Sequence, residues 1–439
     1  MSYLGAQNSI ALGVQGLIHI DTGGGAGGSA DYLLAKSLRF RSSASAYLNR
    51  TASASISTFT VSMWVKRGSL TSNFQYFFSY NNSGNTDGYG LAFNQTTDTL
   101  YYYNGTAQAT TAAYRDPAAW YHIVFSNNAG AFTLYVNGVS VKTGTATAIP
   151  SSSVMNLGRY GFSSTFYFDG ELAEVNFVDG QALAPTSFGA FSTYNQWLPI
   201  KYAGTYGTNG FYLPFTNTAS TSTLVADSSG NANNWTPNNI SLTAGSTYDS
   251  LTDVPTLTSA TVANYAVLNP FQNGGGTLSG GNLNLLGASA AWGTRLGTIA
   301  VTSGKWYFEV TPTSGSATAG IHFGITQNAA PAGFLGQDAN GYSYYGFNGQ
   351  KYNNNAGVAY GATVADNDVV GVAFDVTAGT LTFYKNNVSQ GVAFSSLAAG
   401  TWFLGVSCYN TATASINFGQ QPFTYTPPTG FLALNTYNI

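Results

Sequence analysis

Apolar and polar residues alternate with a period of two along most of the chain after residue 37. In Phe59-Thr60-Val61-Ser62-Met63-Trp64-Val65-Lys66, one face carries Phe59, Val61, Met63 and Val65, the pattern of a half-buried strand. Trp120–Phe125 and Phe132–Val136, separated by Ser126-Asn127-Asn128-Ala129-Gly130, predict a hairpin with a loop of turn formers. Asn137-Gly138 predicts a second, tighter one, because a type I′ turn needs two positive φ angles. Lys305–Val310, Gly320–Ile325, Asp368–Asp375, Thr380–Lys385, Thr401–Ser407 and Ser415–Gly419 read as further strands. Helical periodicity is absent. The expected fold is all-β: two antiparallel β-sandwich domains in tandem behind an extended N-terminal arm.

The pattern divides the chain into four stretches. Residues 1–35, apolar to Ile20 and then broken by Gly23-Gly24-Gly25-Ala26-Gly27-Gly28, read as an anchoring arm that orders against a partner. Residues 36–192 and 262–439 are the two sandwiches. Residues 193–261 are expected to be a connector with one or two strands. It contains Gly210–Phe215 and the turn-rich Asp227-Ser228-Ser229-Gly230-Asn231-Ala232-Asn233-Asn234-Trp235, and it is open to assignment to the second domain.

Composition narrows the function. Of 439 residues only 7% are charged, and the net charge is −3, which argues against a phosphate-binding surface and so against nucleic acid. A single cysteine, Cys408, excludes an internal disulfide framework, and His19, His122 and His322 show no zinc spacing. No run of eighteen apolar residues predicts membrane insertion. The N-terminus lacks the basic region of a signal peptide before Lys36, which leads to an expectation of synthesis in a cytoplasm.

Catalytic chemistry finds little support. The glutamates are Glu171, Glu174 and Glu309. Glu171 and Glu174, three apart, are expected on opposite faces of a strand; Asp169 and Glu171 share a face and are the one candidate carboxylate pair. Cys408 reads as a small buried hydrophobe, and His122 and His322 as sheet residues. The glycine runs at 23–28, 274–276 and 280–281 lack the Lys-Ser/Thr of a phosphate loop. No enzyme is expected and no cofactor is required. Calcium stays open, with Asp87 and the Asp366-Asn367-Asp368 cluster as starting points that turn chemistry explains equally well. The remaining candidates are aromatics in Tyr101-Tyr102-Tyr103, Gly341–Gly349 and Lys351–Asn355, where Tyr rings beside Asn suit a contact surface.

The strand motifs also carry resemblances. Phe59–Lys66, Trp120–Val141 and Phe168-Asp169-Gly170-Glu171-Leu172-Ala173-Glu174-Val175, in that order, resemble the laminin-G-like, concanavalin A-like jelly roll over about residues 37–190. Lys305–Val310 through Asn417-Phe418-Gly419-Gln420-Gln421-Pro422-Phe423 resemble the SPRY domain, another concanavalin-like sandwich, over about residues 262–435. In that family the loops at one end of the sandwich are the ligand surface, which implies Trp292, Tyr342, Tyr344 and Tyr345 as ligand-binding residues; Tyr352 and, in the first domain, Tyr102 join them as candidates from the Tyr-rich stretches themselves. The tandem, with its charge-poor composition and Asp-Ser-Ser-Gly-Asn stretch, resembles bacteriophage virion proteins. That resemblance implies a virion surface protein, a tail or head fibre or a capsid decoration. It would attach by its N-terminal region to other virion proteins and bind host-surface glycan. Fibres of this kind imply a homo-oligomer, a trimer by preference, although no coiled-coil heptad supports that number. A concanavalin-like polysaccharide depolymerase and a purely structural virion protein are the alternatives.

Overall fold

The structure, a computed structural model, describes residues 32–439 except Ser69, Thr71, Ser72, Ser83, Asn85, Ser163, Ser164 and Asn273. The expected arm therefore lies, up to residue 31, outside the described residues. The rest is all-β, with two sandwiches in tandem.

The first sheet of the first sandwich runs, in spatial order, Val139–Thr145, Ala131–Val136, Trp120–Asn128, Phe59–Arg67, Gly170–Asp179, Ser37–Phe40 and Ser250–Leu251. The facing sheet runs Thr236–Asn238, Tyr47–Thr51, Val154–Leu157, Gln75–Asn81, Gly88–Phe93, Thr99–Tyr103 and Ala107–Ala113. Phe59, Val61, Met63 and Val65 point into the core between them, as the alternation requires. Asn137 and Gly138 take φ of 49° and 80°, the two left-handed positions of the predicted tight turn.

The connector is not a free link. Phe211–Leu213 pairs with Gly170–Asp179, Thr236–Asn238 with Tyr47–Thr51, and Ser250–Leu251 with Ser37–Phe40, so three strands of this stretch extend the first sandwich. Phe211, Leu213, Phe215, Leu224, Val225 and Trp235 join its core. The turn-rich loop is held by Asp227, whose carboxylate accepts from the main-chain N–H of Tyr212, Ser229 and Asn233 at 2.8–2.9 Å. Just before it, Ser220 and Thr223 cap the short α-helical turn Thr221–Leu224 reciprocally.

The second sandwich pairs Thr277–Ser279, Asn284–Leu286, Thr413–Asn417, Lys305–Ser314, Val370–Asp375, Thr380–Lys385 and Val388–Phe394 in one sheet. The other sheet runs Trp292–Val301, Trp402–Tyr409, Ile321–Thr326, Gly341–Tyr345, Gln350–Asn353 and Ala356–Ala359. Cys408 lies buried between them among Ile321, Phe323 and Val406, and burial pushes its thiol up.

Candidate functional site

The acids come first, because a hydrolase would need them in a cleft. The Gly170–Asp179 strand carries a bulge at Glu174, whose φ is 53°. Leu172 and Val175, three apart, therefore both enter the core. Glu171 and Glu174 consequently leave by the same face, which corrects the expectation of opposite faces: the extra residue shifts the parity. Glu174 accepts from the hydroxyls of Tyr32 at 2.8 Å and Tyr212 at 2.9 Å, and burial raises its carboxyl to about 7.

Asp169 and Glu171 are 0% and 1% exposed, shut into the junction between the two sandwiches. Asp169 accepts from the N–H groups of Gly280 (3.0 Å) and Gly281 (2.7 Å), whose successive φ values of 65° and 72° form a small anion cradle. The glycine pair that lacks a phosphate-loop signature thus holds a carboxylate of the neighbouring domain. Around it, Lys66 Nζ donates to Asp253 at 2.6 Å, Asn264 at 2.8 Å and the Tyr265 carbonyl at 3.0 Å. Trp120 Nε1 donates to the same Asp253 at 3.0 Å, and Arg39 and Arg41 converge on Asp249. Burial, then the charge of Asp253, drives the Glu171 carboxyl well above its ordinary range, against the pull of Lys66 and Arg39. Asp169 is thus spent on the contact between the domains, while Glu171 accepts within the first sandwich from the Ser37 hydroxyl at 3.4 Å. His122, stacked on Trp64, accepts at Nδ1 from Trp197 Nε1 at 2.9 Å and shares a hydrogen bond at Nε2 with the Ser62 hydroxyl, and burial pushes it down to about 3.

For calcium, Asp87 is taken by the hydroxyls of Tyr160 and Tyr103 and by the N–H of Gly88. Asp366 caps the N–H groups of Gly315 and Ser316, while Asp368 binds Lys385, Asn386 and the Ala365 N–H. Among the described residues no three His, Cys, Asp or Glu side chains converge as a metal site.

The candidate ligand aromatics separate by strand parity. Tyr342 and Tyr344 lie opposite Ile325 and Phe323 in register and turn inward. Tyr344 is 0% exposed, its hydroxyl bonded to the Ala362 carbonyl, and Tyr342 packs on Phe394 and Trp402. Tyr102 is also core, 1% exposed, with its hydroxyl 2.6 Å from that of Tyr80. These three are corrected: alternation sends them inside and their neighbours out.

Trp292, Tyr345 and Tyr352 face outward and are half-buried. Around them the structure assembles a shelf. His322 lies between Phe334 and Tyr345, its ring centroid 4.3 Å from each. Trp292 packs on Phe334 and Tyr409 at 5.1 Å, and Tyr352 stands edge-on to Tyr345 at 5.7 Å. Gly357 on the neighbouring strand lets the Tyr352 ring lie across it, since a Cβ there would meet the ring at 2.7 Å. Burial holds His322 well below its usual pKa, so the shelf is uncharged. Phe334, His322 and Tyr409 escaped sequence reasoning because they come from distant strands and a loop. A second aromatic cluster, Phe74, Tyr76, Tyr101, Tyr103, Tyr160 and Phe166, covers the outer face of the first sandwich. There Tyr101 and Tyr103, rather than Tyr102, face outward.

Two sandwiches of this kind, each curved around its own core and bearing loops at its ends, define concanavalin A-like domains. Residues 40–187 match the laminin-G-type model described as the concanavalin A-like lectin/glucanases superfamily, and residues 305–421 match the SPRY domain. The chain thus carries a laminin-G-like domain followed by a SPRY domain. It is similar to the Set1/Ash2 histone methyltransferase complex subunit ASH2 of Drosophila melanogaster, 28% identical over 28% of this chain and 30% of that protein. It is also similar to Ran-binding protein 10 of Danio rerio, 30% identical over 29% of this chain and 21% of that protein. The chain spans less than a third of the length of these two curated relatives. A solved SPRY domain of human HERC1 is 16% identical with a TM-score of 0.29, covering 33% of this chain and 91% of that one. Among the described residues no helix is long and apolar enough to cross a membrane.

Proposed function

We propose that the protein is a non-enzymatic binding protein of a virion surface that holds neutral sugar rings against the shelf of its SPRY domain. The observation that carries this reading is the shelf itself: Trp292, Tyr345 and Tyr352 half-exposed side by side on an uncharged face, with the exposed Asn354 and Asn355 in the turn that follows Tyr352. Aromatic faces meet the C–H surface of a sugar, and Asn side chains bond its hydroxyls. The virion setting rests on the charge-poor tandem and its resemblance, with host-surface glycan as ligand and other virion proteins as partners. Burial of Asp169 and Glu171 in the junction supports a binding rather than a cleaving role.

A second reading follows from the relatives, one named as a subunit of a complex and one as a Ran-binding protein. The strand Ala356–Ala359 is an exposed, uncharged sheet edge beside the shelf, suited to pairing with an extended peptide.

A glycan array probed with the whole chain tests the first reading. Defined oligosaccharides are expected to give signal that falls at least about tenfold in Trp292→Ala and Tyr352→Ala, equivalent to about 1.4 kcal/mol. Silence on the array with binding to extended peptides instead replaces it with the second.

A further inference from the structure

Lysine and aspartate pair three times among the described residues. Lys305–Asp375 and Lys385–Asp368, each at 3.1 Å, keep their lysine side chains 47% and 26% exposed. Lys66–Asp253 is different: Nζ lies 2.6 Å from Oδ2, and the two side chains are 2% and 0% exposed. A buried charged pair can cost more in desolvation than its attraction returns. Pairing register shows how this site is built. Trp120, Lys66, Glu171 and Arg39 stand directly opposite one another on four adjacent strands, so their side chains form one row on the face turned to the seam. The segment that leads into the second sandwich brings Asp253 against this row. It is held there by main-chain bonds from Val254 to Ala263 and from Ala263 to Thr252.

The geometry around the pair suits bond formation. Oδ1 of Asp253 accepts from Trp120 Nε1 at 3.0 Å and from the Tyr265 N–H at 3.3 Å, which places two donors where an oxyanion would develop. Oδ2 is left against the amine. Glu171 flanks Lys66 from the next strand, and its carboxyl accepts only from the Ser37 hydroxyl, at 3.4 Å. Burial raises the carboxyls of both Glu171 and Asp253, which favours the protonated acids that a condensation uses. A neutral lysine amine is a nucleophile, a role no arginine of the seam can take.

We propose that Lys66 and Asp253 join through an isopeptide bond, tying the central strand of the first sandwich to the segment that leads into the second. One proton passes from Nζ to Oδ2 along their hydrogen bond, leaving a neutral amine and a neutral acid. The amine lone pair attacks Cγ, and Oδ1 carries the negative charge between Trp120 and Tyr265. Glu171 gives its proton to Oδ2 and takes the second proton of Nζ in exchange. Oδ2 departs as water and the C–N amide bond is complete. An ammonium and a carboxylate thus become an amide and one water, with no oxidant and no net proton. Locked orientation and exclusion of water drive this step. The inference stands apart from the glycan reading.

The test is intact-mass spectrometry of the denatured full chain. The parent is expected to weigh one water less than its sequence, and its protease digest to contain a branched peptide joining Lys66 to Asp253. Lys66→Arg, which keeps the charge but cannot form the amide, and Asp253→Ala are expected at their full sequence masses. Glu171→Gln is expected to form the bond at least ~100-fold more slowly. A parent at full sequence mass overturns the proposal, and that measurement needs no variant to fold. So does a missing water that persists in Lys66→Arg, or a branch at Asn264, whose Oδ1 lies 2.8 Å from the same Nζ. Bond formation at the parent's rate in Glu171→Gln overturns the part given to Glu171.

Discussion

Glu174 sits on a left-handed bulge with two tyrosine hydroxyls on its carboxylate and a half-buried Lys36 lining the small cavity beside it. Burial is the largest influence and raises its carboxyl from 4.5 to about 7. A folded-state pKa above the unfolded one adds stability that is fully present below about pH 4.5 and lost as pH rises through about 7. At about 1.4 kcal/mol per unit, the loss is on the order of 3 kcal/mol. Urea midpoints measured at pH 5 and pH 8 are therefore expected to fall with rising pH in the parent and to fall distinctly less in Glu174→Gln. Equal slopes in the two proteins would contradict this. The bulge also marks where sequence reading stopped. Strict alternation places Phe59 to Val65 correctly, yet one inserted residue at Glu174 reverses the face of everything before it relative to everything after. Alternation does resolve the tyrosines once the strand's inner face is known: Tyr342 and Tyr344 in, Tyr345 out. Choosing among them as a cluster, without that register, mixes core with surface.

Elements add what single residues cannot show. The hairpin at Asn137-Gly138 is legible because its geometry is local: two positive φ angles demand those residue types. The role of residues 193–261 is not legible, because short strands of two or three residues carry too little pattern and their partners are 34 to 214 positions away. What fixes them is the core. Trp235 is 3% exposed and packs edge-on to Phe211 at 4.9 Å. Trp235→Ala is expected to cost about 3–5 kcal/mol, read as a lowered denaturant midpoint at unchanged slope. A free connector would give no measurable change. The shelf was half legible for a related reason. Trp292, Tyr345 and Tyr352 belong to aromatic-rich stretches visible in one dimension, whereas Phe334, His322 and Tyr409 join only when three strands and a loop are folded together.

Across the whole molecule, charge is concentrated where the two sandwiches meet. Lys66, Arg39 and Arg41 face Asp253 and Asp249, and Asp169 fills the Gly280–Gly281 cradle. A chain with only 7% charged residues thus commits several of its acids to one buried seam and leaves the shelf of its second sandwich neutral. Cleavage of a glycan needs two carboxylates about 5–10 Å apart with access to substrate, and the seam offers acids without access. On the proposed function, the protein holds polysaccharide without breaking it. The most direct test of this is to titrate the whole chain with an array-positive polysaccharide in a calorimeter and count reducing ends in the same cell. Saturable heat with a flat reducing-end count is the predicted result. A reducing-end count that climbs with time, and stops climbing in Asp169→Asn or Glu171→Gln, would contradict it.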